Sequence, residues 1–199
     1  MASRSETNPS DWSRVAGRGV YPVRYAGWLV TPLRALILPA SRLARRLGLR
    51  PDDDVLEIGC GPGYFLPAVA RRLPQGRLHA IDLQPGMIDR ARARAGRAGL
   101  SNVDCIVSPA ETLPFPDASF DVVYMVTVLG ETVDPSRVVA ECARVLKPGG
   151  RLSLTEAAGD PDRMRPQDID PLAQSAGLSF ERAWPGPLTR TDAYVKPAA

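Results

Sequence analysis

From residue 53 onward, short apolar runs alternate with segments whose apolar residues recur every three or four positions. That alternation predicts βαβ units and a mostly parallel sheet covered by helices on both faces. Residues 55–58 read as the first strand. A helix follows, with Leu66, Val69, Ala70 and Leu73 on one face. Gln75-Gly76 turns the chain into a second strand, 77–82. Pro85 opens the next helix, whose inner face carries Ile88, Ala91, Ala95 and Ala98. Strands over 103–107 and 120–126 flank a Pro-rich loop. Asp134 caps a helix with Pro135 at its first position, and Val138, Val139, Cys142, Val145 and Leu146 face inward from it. Lys147-Pro148-Gly149-Gly150 predicts the end of that helix and a turn into a strand over 151–156. A helix over 166–176 stops at Gly177, and strands over 179–184 and 190–195 are close enough to form a hairpin.

Composition changes this picture little. The 199 residues are 44% hydrophobic and 24% charged, values of an ordinary globular domain that exclude a disordered or collagen-like chain. Three cysteines without a CxxC pair exclude a disulfide framework and a zinc ribbon. No run approaches the ~20 apolar residues of a membrane span, and the polar start lacks the apolar region of a secretory signal. A cytoplasmic location is the expectation. The charge is uneven: residues 1–50 carry nine Arg against Glu6 and Asp11, while the rest carries a net negative charge. With 6% aromatics and no accompanying motif, nucleic acid is not the expected partner.

The chemistry concentrates after the first strand, at Gly59-Cys60-Gly61-Pro62-Gly63. The spacing is GxGxG; the dinucleotide fingerprint GxGxxG would need glycine where Tyr64 stands. A phosphate-cradling GK[ST] sequence is missing too. Glycines lacking Cβ let a ligand lie against the backbone. Glu57, at the strand end, would repel a pyrophosphate and favour a cation. Asp82 ends the second strand, where an acid can accept from both ribose hydroxyls of a nucleoside.

Four segments carry a family resemblance. Residues 55–63, VLEIGCGPG, resemble motif I of class I S-adenosylmethionine-dependent methyltransferases. Residues 80–88, AIDLQPGMI, resemble the acidic second-strand segment of that family. Residues 110–123, AETLPFPDASFDVV, and 144–150, RVLKPGG, match two later blocks in the right order. The small-molecule subgroup containing ubiquinone and menaquinone C-methyltransferases is the nearest look. The resemblance implies a Rossmann-like α/β fold, a three-layer sandwich whose seven-stranded sheet is mostly parallel and ends in an antiparallel hairpin. It implies S-adenosyl-L-methionine as cofactor and a small, apolar organic methyl acceptor.

Carried over by position, the resemblance sets Gly59, Cys60, Gly61 and Gly63 against the cofactor and Glu57 at its methionine end. Asp82 would hold the ribose, Leu83 and Met87 the adenine, and Ala110 and Glu111 the adenine edge. Val126 and Thr127 would offer carbonyls to the ammonium. Two positions depart from the family. Pro109 stands where Asp is common, which removes an acceptor for the adenine amino group. Leu129-Gly130-Glu131 replaces a common "LHH", so histidine-dependent deprotonation does not carry over.

Other candidates are weighed against ordinary packing. His79, the only histidine, lies inside the second strand, a structural position. Cys60 reads as a small apolar filler, and Cys105 and Cys142 fall on core faces. No Cys or His spacing supports a metal. Glu131, after the fourth strand, and Tyr25 are the candidates for a catalytic role; Tyr21 and Tyr64 could line an acceptor pocket. The basic, apolar segment 1–50 is read as a helical lid preceding a methyltransferase domain over 51–199. Peripheral contact with anionic lipid and plain packing on the sheet remain alternatives. A module of the same fold that holds the cofactor, or a partner, without turnover is the alternative of a different class. An NAD-dependent oxidoreductase is disfavoured by GxGxG and Glu57.

Overall fold

The computed structural model describes residues 37–198. Helix α1 (Ala40–Arg46) leads into β1 (Asp54–Ile58), α2 (Leu66–Ala70), β2 (Arg77–Asp82), α3 (Pro85–Arg97) and β3 (Val103–Val107). Strand β4 (Phe120–Val126) follows the Pro-rich loop and runs into a 3₁₀ turn at Leu129–Glu131. Helix α4 (Pro135–Val145), β5 (Leu146–Ala157), α5 (Pro166–Ser175), β6 (Ser179–Trp184) and β7 (Thr189–Val195) complete the order. The seven strands form one sheet in the order β3-β2-β1-β4-β5-β7-β6. The first five strands are parallel; β7 is antiparallel to both β5 and β6.

One core layer joins Leu43, Leu47, Leu66, Leu73 and Ile88 to Val55 and Tyr124. The other joins Val138, Cys142, Ile169 and Ala173 to Leu56, Val123, Leu152 and Tyr194. Strands central to this sandwich have both faces covered, which is why 122–126 reads as an unbroken apolar run and 55–58 as one broken only by Glu57.

Local chemistry accounts for most of the boundaries. Asp134 accepts from the Arg137 amide at 3.0 Å and so caps α4, worth about 1 kcal/mol. Gly177, at φ 78°, takes the left-handed conformation that ends α5. Helix α2 is shorter than expected: it stops at Ala70, and Leu73 is buried in the turn beyond it.

The expected turn at 147–150 is instead the first part of β5, which starts as α4 ends. The reason lies far along the chain. Gly149 N donates to Lys196 O and Lys196 N to Gly150 O, while the Lys196 ammonium donates to the Ala143 and Leu146 carbonyls at 2.7 Å. The C-terminal segment thus pairs with residues 149–150 and satisfies the end of α4.

The expected boundary at residue 50 also changes. Leu38, Leu43, Ala44 and Leu47 are buried in the core layer containing Tyr124, and Arg151 donates to the Leu47 carbonyl at 3.0 Å. Residues 38–47 therefore belong to the folded core rather than to a separate lid. The remainder of the expected lid, with Tyr21 and Tyr25, lies outside the described residues. Among the described residues, no helix is long and apolar enough to cross a membrane.

Candidate functional site

In the strand order 3-2-1-4-5, successive crossovers leave β1 in opposite directions, and a crevice opens where they part. Here it is a cavity of about 470 Å³ at the carboxyl ends of β1, β2 and β4, within the usual range of small-molecule sites.

Two acids anchor its inner wall. Asp82, buried at the end of β2, accepts from the Gly61 amide through Oδ2 and from the Gln84 amide through Oδ1, both at 2.9 Å. Burial raises its pKa, and the two amide bonds oppose that rise. Glu57 is 3% exposed and in parallel register with Tyr124 on β4. Burial, then the Glu57 charge, drives the Tyr124 pKa well up, so Tyr124 remains a phenol with a proton to donate.

The glycine loop does not work quite as the sequence suggests. Gly59 has φ 70°, and a Cβ there would run into the Val128 side chain; Gly59 makes room for Val128, which itself lines the cavity. Gly63, at φ 77°, has Leu66 Cδ1 at 2.7 Å and Ala91 Cα at 3.1 Å from where its Cβ would sit. It serves the close packing of α2 and α3 and stands outside the cavity wall. At the end of β4, Thr127 adopts φ 53°, a strained conformation for a β-branched residue, costing about 1–3 kcal/mol. Its amide donates to Thr155 O at 2.8 Å, which carries the pairing with β5 one bond past the end of β4.

The other expected residues come together. Cys60 and Gly61 line the cavity with Glu57 and Gly59; Leu83 and Met87 join Asp82; Ala110, Glu111, Val126 and Thr127 line it too. Glu131 and Tyr64 line it as well. Tyr25 lies outside the described residues. His79 is away from the cavity, its ring edge-on to Phe115 and Phe120 at 5.5 and 5.4 Å, and burial lowers its pKa. The thiols are quiet: burial pushes Cys105 up to about 11 and drives Cys60 and Cys142 up too.

One wall was missed from sequence. Ala157, at the end of β5, and Gly159, Asp160, Pro161 and Asp162, in the β5–α5 loop, line the cavity too. A Cβ on Gly130 would collide with the Asp162 carbonyl, so the glycine of the 3₁₀ turn is what lets this loop dock. Behind it, Glu156 is 6% exposed. Burial and the neighbouring Asp160 raise its pKa to about 8, Glu131 adds to this, and the Met164 amide and Arg163 oppose it.

The matched family is described as "Methyltransferase domain" and covers residues 56–154, about half the chain. The chain is 30% identical over 140 residues to the uncharacterized methyltransferase YdaC of Bacillus subtilis, spanning 68% of this chain and 76% of that protein. The chain belongs to the class I S-adenosylmethionine-dependent methyltransferases. The chain is also 44% identical over 107 residues to the aklanonic acid methyltransferase DauC of a Streptomyces species, covering 52% of this chain and 47% of that one. The first curated relatives it matches are longer, and it spans less than half of each, 19% to 47%. In fold, the chain superposes on an S-adenosylmethionine-dependent methyltransferase from Aquifex aeolicus with a TM-score of 0.83 at 22% identity. That match covers 89% of this chain and all of the other.

Proposed function

We propose that this chain transfers the methyl group of S-adenosylmethionine to a small organic acceptor. The observation that carries the reading is Asp82, buried at the end of β2 and bonded to the amide of the central loop glycine, Gly61. This is the position from which a carboxylate reaches ribose hydroxyls, on a loop whose GxGxG spacing and neighbouring Glu57 disfavour a pyrophosphate.

S-adenosylmethionine, when bound, supplies a methyl group on a positively charged sulfur. The residues present fit such a ligand. Glu57 would take its ammonium, together with the carbonyls at Val126 and Thr127, and Asp82 its ribose. Leu83 and Met87 give the adenine an apolar bed, with Ala110 and Glu111 at its edge. Pro109 offers no side-chain acceptor; the neighbouring Ser108 lines the cavity as well, its hydroxyl donating to the Pro109 carbonyl at 3.1 Å. Tyr64, Phe65 and Val128 provide apolar surface for an acceptor skeleton. Methyl transfer needs donor and nucleophile held in line in a dry site, so positioning supplies most of the catalysis.

The test has two parts. S-adenosylmethionine and S-adenosylhomocysteine should raise the melting temperature, by the equivalent of about 2.7 kcal/mol at 100 times the dissociation constant; NAD should not. Labelled S-adenosylmethionine incubated with a cell extract should then label small molecules. Binding without labelling would mean a cofactor-binding module instead.

A further inference from the structure

Glu57, Tyr124 and Ser153 stand in one row across the sheet. Glu57 on β1 is in register with Tyr124 on β4, and Tyr124 with Ser153 on β5. Side chains paired in this way project from the same face. That face is the one covered by α1, α2 and α3, since Val55 and Val122, two positions before Glu57 and Tyr124, pack with Leu43, Leu66 and Ile88. All three polar residues are buried, Tyr124 completely. Of the three, only Glu57 lines the cavity. A phenylalanine ring would fill the apolar layer as well as a tyrosine, and a hydroxyl adds the penalty of leaving water unless it serves a partner. The Tyr124 hydroxyl, like Ser153 Oγ, is sealed from solvent and makes no hydrogen bond of full geometry. What acts on it is Glu57, by charge and by a loose side-chain hydrogen bond, with Cys60 after it. Burial keeps the phenol protonated, so toward a carboxylate it can only donate.

We propose that Tyr124 is a positioning residue for the cofactor: its hydroxyl donates to the Glu57 carboxylate from behind the cavity wall and so aims that carboxylate at the ammonium of the methionine end. This rests on reading the cavity as an S-adenosylmethionine site. A carboxylate has about four lone-pair positions, so one can go to Tyr124 while others remain for the ligand. A carboxylate already held by a fixed donor loses less freedom when the ligand arrives, and the saving appears as affinity. The adenosine half of the cofactor belongs to Asp82, Leu83 and Met87, on the far side of the glycine loop's strand from β4. Tyr124 therefore acts on one end of the ligand only.

The experiment titrates the full chain by calorimetry with two ligands. One is S-adenosylhomocysteine; the other is methylthioadenosine, which keeps the adenosine thioether and lacks the amino-acid end. Tyr124→Phe should weaken S-adenosylhomocysteine by roughly threefold to tenfold, the worth of about one hydrogen bond. It should leave methylthioadenosine within about twofold of the parent. In a Glu57→Ala background, Tyr124→Phe should weaken S-adenosylhomocysteine no further, because its effect runs through Glu57. Ser153→Ala should bind both ligands as the parent does. Equal weakening of both ligands, no weakening of either, a further loss in the Glu57→Ala background, a Ser153→Ala variant that reproduces the Tyr124→Phe pattern, or a Tyr124→Phe variant that does not fold would each overturn the proposal while the cofactor reading stands. The ligand contrast and the Glu57→Ala cycle are independent. Each decides alone if Glu57→Ala does not fold or the smaller ligand binds too weakly to titrate. A parent protein that binds neither ligand would instead overturn the cofactor reading and this proposal with it.

Discussion

Asp82 Oδ2 stands 2.9 Å from the Gly61 amide, so the acid assigned to the ribose also fixes the loop on which the cofactor would rest. Its other oxygen receives the Gln84 amide and thereby shapes the entry to α3. One carboxylate joins the ends of β1 and β2 before any ligand arrives.

Replacing it should have two effects of different size. Asp82→Ala removes hydrogen bonds to a charged acceptor, a loss of about 1.5–3 kcal/mol in all, and should lower S-adenosylhomocysteine affinity roughly ten- to hundredfold. The melting temperature should fall less, because water can reach the freed amides of Gly61 and Gln84 in an open cavity. Asp82→Asn, which keeps one acceptor oxygen, should lie between. An alanine variant with parental affinity by calorimetry would remove Asp82 from the ribose role.

Glu156 gives a pH signature. In the folded chain it keeps its proton to about 8, against 4.5 for the ordinary carboxyl. Between these values the folded state binds more protons than the unfolded one, so stability falls as pH rises through that window. Glu156→Gln has no proton to lose. Its melting temperature should gain on the parent from pH 5 to pH 8 and then hold a constant lead. Melting curves at half-unit steps test this; a lead that stays flat would mean Glu156 ionises normally.

Arg144 stitches the Pro-rich loop to α4. Its guanidinium donates to the Leu113 and Phe115 carbonyls at 3.1 and 2.9 Å, to Asp117 at 2.8 Å, and to both oxygens of Glu141. Arg144→Ala should cost about 2–4 kcal/mol in urea unfolding, since several half-buried acceptors lose their donor together. Arg144→Lys should recover only a minor part, because a single ammonium cannot serve a forked set of acceptors.

Gly130→Ala should destabilise by about 1–3 kcal/mol, as overpacking against the Asp162 backbone does. S-adenosylhomocysteine affinity should be retained, while labelling of small molecules in extract should drop. A variant as stable as the parent would mean that the β5–α5 loop yields freely.

Much of this was legible in the sequence because the signals are local. Parallel strands buried on both faces leave continuous apolar runs, and Pro85, Pro135 and Gly177 punctuate the helices where the structure ends or begins them. Asp82 and Glu57 could be singled out for the same reason: one is the last residue, the other the last but one, of a strand that announces itself. What escaped depends on contacts between distant residues. Residues 147–150 read as a turn until Lys196 pairs with them, and α1 reads as an appendage until Leu43 and Leu47 meet the layer around Tyr124. Gly59 lines the cavity, but that a side chain there would meet Val128 is a contact no local pattern reports. Gly159-Asp160-Pro161-Asp162 has the composition of any polar loop, and nothing near it in the chain says that it lines a cavity. The ionisation of Glu156 is set by burial, which no local pattern reports.

The docking of the Asp162 carbonyl over Gly130 has a historical consequence. No side chain can be gained at position 130 while the β5–α5 loop keeps its course, so a histidine there, as in the "LHH" pattern, requires the loop to be rerouted first. The two segments, about thirty positions apart in sequence, are bound to change together. Descendants of this chain can alter the residues at 131 and 160 one at a time, but they inherit the outline of that wall as a single piece.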